Sequence, residues 1–147
     1  MQLFEISETT GLLLVKAAKL HRSIVSDRLA RVGLHVGQDL LLLELSRVDG
    51  VSQRELADRL GVEQATVGVA LRRLESGGFV QRRAAVDDAR VRAVFLTERG
   101  RDALPAIYAA WREAETALFG RLSAQQAEQL RKLLTAMLAA STPAPEA

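Results

Sequence analysis

Residues 51–83 read VSQRELADRLGVEQATVGVALRRLESGGFVQRR, and the order of breaks in this stretch specifies two short helices joined by a tight turn. Ser52-Gln53-Arg54-Glu55 has the form of a capping box, in which the serine accepts from the third helical N–H and the glutamate reaches back to the cap. Leu56 and Leu60 supply the inner face of the helix so started. Gly61, a residue tolerant of left-handed backbone, ends it. A second helix follows over about Gln64–Ser76 and stops at Gly77-Gly78. Two short helices hinged at a glycine make a helix-turn-helix.

Beyond Gly78 the apolar period changes from helical to alternating. Residues 79–85 (FVQRRAA) and 92–97 (RAVFLT) read as two strands around the loop Val86–Val91. Thr97 is placed to cap a further helix with Glu98 in its first turn. That helix carries Leu104, Ile107, Tyr108, Trp111 and Leu118, with Pro105 early within it. Ser123-Ala124-Gln125-Gln126 caps a last amphipathic helix bearing Leu130, Leu133, Leu134, Met137 and Leu138. Upstream, Leu13, Ala17, Leu20 and Ile24 recur at helical steps within residues 8–32, and Gly33 is a stop. A second helix from about Val36 to Val48 is apolar over most of its circumference and belongs in the core. It has His35, not a hydroxyl residue, at its cap position. Residues 141–147 (STPAPEA) read as a disordered tail.

At 147 residues the chain fits a single domain. It is 48% hydrophobic and 26% charged, an ordinary balance for a globular protein, and holds no apolar run long enough for a membrane span. Glu5 and Glu8 precede the short run Leu12–Val15, so the N-terminus does not read as a signal peptide. The chain has no cysteine, which removes disulfides, thiolate metal sites and thiol redox sensing. A cytoplasmic location is the expectation. Residues 51–100 carry nine basic and seven acidic side chains, so the whole net charge of +2 arises there. Arg72, Arg73, Arg82, Arg83, Arg90 and Arg92 all lie in that segment. Arginine suits planar, bidentate contact with phosphate or guanine.

Helix, glycine turn, helix and basic hairpin is the order of a winged helix-turn-helix. Over nearly its whole length the chain resembles the MarR family of bacterial transcription regulators. The matching stretches are residues 51–83, the wing sequence DDAR at Asp87–Arg90, VFLTERG at Val94–Gly100, and LSAQQAEQLRKLL at Leu122–Leu134. The resemblance implies a mainly α fold with a small β-hairpin wing and with N- and C-terminal dimerisation helices. Residues 1–140 form one domain on that reading. Its dimerisation helices cover about 8–32 and 98–140, and the winged helix-turn-helix covers about 36–97.

The resemblance also implies roles. The helix Gln64–Ser76 enters the major groove of double-stranded DNA, with Gln64, Ala65, Thr66, Gly68, Val69, Arg72 and Arg73 as contact residues. Arg90, oriented by Asp88, reaches the minor groove from the wing tip. A two-fold homodimer then reads a pseudo-palindromic operator with half-sites about one helical turn, ~34–36 Å, apart. Such regulators are often repressors released by a small aromatic acid or phenolic effector. His21, Tyr108, Trp111 and Arg112 are the candidates to line its pocket.

Besides His35 at the second helix's cap, one departure from the family pattern stands out, on the face of the helix Gln64–Ser76. With Val67, Leu71 and Leu74 turned inward, the outward face is Ala65, Gly68, Val69, Arg72 and Ser76. That face has little hydrogen-bonding capacity beyond Arg72, which leaves apolar contact with thymine methyls as the readout for Ala65 and Val69. The two histidines, His21 and His35, stand on different elements without cysteine partners. They read as one packed and one capping residue, with no metal and no cofactor expected. No phosphate loop, HExxH, GxSxG or dinucleotide fingerprint marks an enzyme. The competing reading is a winged helix that binds protein, which would not need its arginines clustered on one side.

Overall fold

The computed structural model describes residues 5–141. A 3-10 turn at Ile6–Glu8 is followed by α1 (Thr10–Ala30), α2 (Gln38–Arg47), β1 (Val51–Ser52), α3 (Gln53–Leu60), α4 (Gln64–Ser76), β2 (Val80–Ala84), β3 (Arg92–Leu96), α5 (Glu98–Phe119) and α6 (Ala124–Ser141). Ser141, expected in the tail, closes α6. The rest of that tail, 142–147, and residues 1–4 lie outside the described residues.

Local hydrogen bonds start most of the helices. The Thr9, Ser52 and Thr97 hydroxyls accept from the N–H groups of Leu12, Glu55 and Gly100, each at 3.1 Å. At α6 the box closes in both directions: the Gln126 N–H donates to Ser123 Oγ at 3.2 Å, and the Ser123 N–H donates to Gln126 Oε1 at 2.9 Å. At α3 only the serine half forms. The Glu55 carboxylate turns instead to Arg59, one helical turn on, at 2.9 Å.

Helix α2 starts two residues later than the sequence predicts, and His35 is not its cap. Gly37 takes that position with φ +98°, which a side chain would strain. The first helical residues supply the missing acceptors. The Gly37 N–H donates to Asp39 Oδ1, and the His35 N–H to Gln38 Oε1, both at 2.8 Å. Two amides ahead of the helix are thus satisfied by side chains of its first turn.

The sheet has three strands, not the two expected, in the order β1-β3-β2 and antiparallel throughout. Val51 pairs with Val94, and Ser52 with Ala93. On the other side the register runs from Val80–Leu96 to Ala84–Arg92. Two residues are too few to show alternation, so β1 leaves no period in the sequence.

Leu42, Leu45, Leu56, Leu71, Leu74 and Ile107 form the centre of the core, all fully buried. They join α2, the helix-turn-helix and α5. Helix α1 adds Val25 and Leu29 and packs along α5. The entry to α5 is tight. A Cβ on Gly100 would lie 2.2 Å from the Phe79 carbonyl oxygen, while Thr97 donates its N–H to that oxygen and its hydroxyl to Gly78 O. The glycine of the VFLTERG run is therefore a contact point between helix and wing.

Candidate nucleic-acid interface

Helix α4 keeps its predicted bounds, and its faces are now explicit. Val67, Leu71 and Leu74 are buried, while Gln64, Ala65, Thr66, Val69, Arg72 and Arg73 are exposed. Gly68 corrects the sequence reading: it is buried, not outward. A Cβ there would meet Gln53 Nε2 at 2.8 Å, and that amide donates to the Gln64 carbonyl at 3.0 Å. The first side chain of α3 thus lies across α4 at its one glycine, a close approach that helical periodicity cannot reveal.

With Gly68 removed, the outward face is centred on Ala65 and Val69, one turn apart, with Arg72 and Arg73 beyond them. Val69 remains 43% exposed in the protomer.

The wing tip is a closed turn. Ala85 donates to Val91 O at 2.8 Å, and Val91 to Asp88 O at 3.0 Å. The Asp88 carboxylate accepts the Arg90 backbone N–H at 3.0 Å. Asp88 therefore orients Arg90 through its backbone, not through its guanidinium, as an Asx turn does. Among the described residues no hydrogen bond or ion pair engages that guanidinium.

The stem arginines differ. The Arg83 guanidinium lies over the Phe95 ring at 3.9 Å. Arg82 is drawn toward Glu75 and Gln53, and Arg92 Nη2 lies 3.5 Å from the Arg82 carbonyl. The basic cluster of the sequence is thus partly occupied inside the molecule.

Of the effector candidates, the structure brings two together. The His21 and Trp111 rings meet edge to face at 4.6 Å between centroids. Both line a cavity of about 440 Å3 with Lys19, Arg22, Gly37 and Asp39. The sequence reading missed the last four. Their signal lies in contacts between α1, α2 and α5 that no local pattern records. Tyr108 and Arg112 are exposed and do not line this cavity.

On the same helix pair Arg28 Nη2 donates to Glu113 Oε1 at 2.7 Å. That bond, with the attraction of the two charges, holds the Glu113 carboxyl below its ordinary range and raises Arg28. Among the described residues no cluster of three or more His, Asp or Glu could hold a metal ion, and no helix is long and apolar enough to cross a membrane.

Comparison with known proteins agrees with this geometry. A MarR-family profile matches residues 32–91. The HTH-type transcriptional repressor Rv2887 of Mycobacterium tuberculosis is 33% identical over 124 residues, covering 84% of this chain and 89% of that one. The crystal structure of Rv2887 in complex with DNA superposes with a TM-score of 0.69 at 29% identity, covering 88% of this chain and 97% of that one. CouR from Rhodococcus jostii, solved bound to p-coumaroyl-CoA, gives a TM-score of 0.81 at 25% identity, covering 95% and 98%. With the helix-turn-helix, the three-stranded wing and the flanking helices all in place, this chain belongs to the MarR family of transcriptional regulators.

Proposed function

We propose that this protein is a homodimeric, sequence-specific repressor that binds a pseudo-palindromic operator in double-stranded DNA. A small aromatic or phenolic ligand weakens that binding. Helices α1, α5 and α6 pair the subunits, and residues 36–97 read the DNA. The protein acts in the cytoplasm, where its operator is, and catalyses nothing.

The observation that carries this reading is the division among the arginines. Arg83 is engaged within the wing, over Phe95, and Arg82 is drawn to Glu75 of α4 and Gln53 of α3. Arg90 is offered at its tip by a turn whose backbone is pinned at both ends of the Asp88 residue. Of the two groove contacts, α4 offers a face on which Ala65, Val69, Arg72 and Arg73 are exposed together. A protein-binding winged helix would need neither feature. The DNA complex of the Rv2887 relative supports the same mode.

Gel-shift titration against genomic fragments, with excess nonspecific competitor and at stated salt, tests the reading. One or a few fragments are expected to bind with nanomolar affinity as a dimer. Equal, weak binding to all fragments would reject it. For the effector, the cavity beside Trp111 offers two rings and the cations Lys19 and Arg22. Aromatic acids are expected to weaken the shift, and Trp111→Ala to blunt that response. A ligand moves the equilibrium only by its differential affinity for the two dimer states.

A further inference from the structure

We infer that Arg82 is a positioning residue, one that locks the wing to the recognition helix through Glu75 and Gln53 instead of contacting DNA. The inference rests on the DNA-binding reading and concerns how its two contact elements are held in register.

Three elements converge on this side chain. Arg82 stands in the middle of β2, opposite Val94 of β3. Its Nε lies 3.4 Å from Glu75 Oε2, near the end of α4. Its Nη1 donates to Gln53 Oε1 at 3.2 Å, at the start of α3. Gln53 in turn donates its amide to the Gln64 carbonyl at the start of α4 and lies over Gly68. One chain of contacts therefore holds both ends of α4 and the first strand of the wing.

Burial separates Arg82 from the arginines around it. Its side chain is 23% exposed, and Nε is buried without a hydrogen bond. A desolvated guanidinium nitrogen in that state is compensated by the Glu75 charge alone, so the two groups hold each other's position. A phosphate-binding arginine needs an accessible head, as Arg90 has. The seam also explains the residue types. Glycine at position 68 leaves room for the Gln53 amide where it lies, and a forked cation can engage Glu75 and Gln53 at once.

The test is a salt series of operator affinities for the full-length protein and for Arg82→Ala, Arg82→Lys and Glu75→Gln. Arg82→Ala is expected to weaken binding about two- to thirtyfold, the range for residues that act on a site without touching it. The slope of log affinity against log salt should stay unchanged, because no phosphate contact is lost. Arg82→Lys should recover part of the loss through Glu75.

Glu75→Gln should also weaken binding, although removing a negative charge beside DNA would by itself tighten it. That sign does not depend on Arg82→Ala folding well. A slope shallower by about one unit in Arg82→Ala means a phosphate contact and overturns the inference. So does unchanged affinity in that variant, or tighter binding by Glu75→Gln. Loss of all specific binding by the unsubstituted protein is a different result, and it removes the regulator reading itself.

Discussion

The indole N–H of Trp111 donates to Asp39 Oδ2 at 2.8 Å, across 72 residues of chain. The other oxygen of that carboxylate accepts the Gly37 N–H at 2.8 Å, and Asp39 is 1% exposed. One buried carboxylate therefore ties α5, a helix of the proposed dimer interface, to the first turn of α2, which leads into the helix-turn-helix. Trp111 also touches His21 of α1 and lines the cavity beside it. A ligand there would lie against the joint between the two halves of the protein.

Replacing Asp39 with alanine leaves the Trp111 and Gly37 donors without their acceptor. A loss of about 1–3 kcal/mol in unfolding free energy is expected, read by urea denaturation. Trp111→Phe, which removes the donor but keeps most of the ring contacts, should cost less. Equal stability of Asp39→Ala and the parent would mean that the bond does not hold the two halves together.

Helix α6 buries no residue in the protomer, and Leu133 is 62% exposed. Leu13 and Val15 of α1 are exposed as well. In the proposed dimer a second copy covers these faces. Leu133→Glu should shift the protein from dimer to monomer in sedimentation velocity and abolish operator binding. A dimer of undiminished affinity would place the interface elsewhere.

At the wing, Arg90→Ala should leave folding unchanged and weaken operator binding by about 1–3 kcal/mol. The salt slope should become shallower by about one unit if a phosphate contact goes with it. Asp88→Ala removes only the acceptor that pins the Arg90 backbone, so a smaller loss of the same sign is expected, from the entropy of ordering a looser tip. Full affinity of Arg90→Ala at moderate salt would rule out the wing as a DNA contact.

The centre of the proposed reading face is apolar, at Ala65 and Val69. Deoxyuridine in place of thymine removes a methyl without changing a hydrogen bond, and at one or two positions per half-site it should weaken binding by about 0.8 kcal/mol. Val69→Ala should erase the difference at its own position. Arg72 lies later in the helix and is expected to meet a phosphate. Arg72→Ala should then weaken all sequences alike, and a single newly degenerate base pair in site selection would assign it to a base instead.

Gly100→Ala brings a methyl to 2.2 Å from the Phe79 carbonyl oxygen, where the obstacle is backbone. Destabilisation of about 3 kcal/mol or failure to fold is expected, measured by the thermal midpoint. A midpoint within a degree or two of the parent would show that α5 moves freely against the wing.

What the sequence by itself determined is what short-range physics controls. Ser52, Thr97 and Ser123 cap the helices they announce, and α4 runs over Gln64–Ser76, because caps and stops act within a few residues. The winged helix-turn-helix followed from the same local order of elements, and the family from the resemblance of stretches such as Asp87–Arg90 and Val94–Gly100. Tertiary structure decided the rest. Periodicity turns Gly68 outward, but the approach of Gln53 buries it. Charge counting groups Arg82 with Arg90, but Glu75 and Gln53 draw Arg82 inward. Tyr108 and Trp111 stand three residues apart on one helix and read alike, yet only Trp111 finds Asp39. In each case a partner distant along the chain decides which way a side chain serves, and such partners meet only when the elements pack.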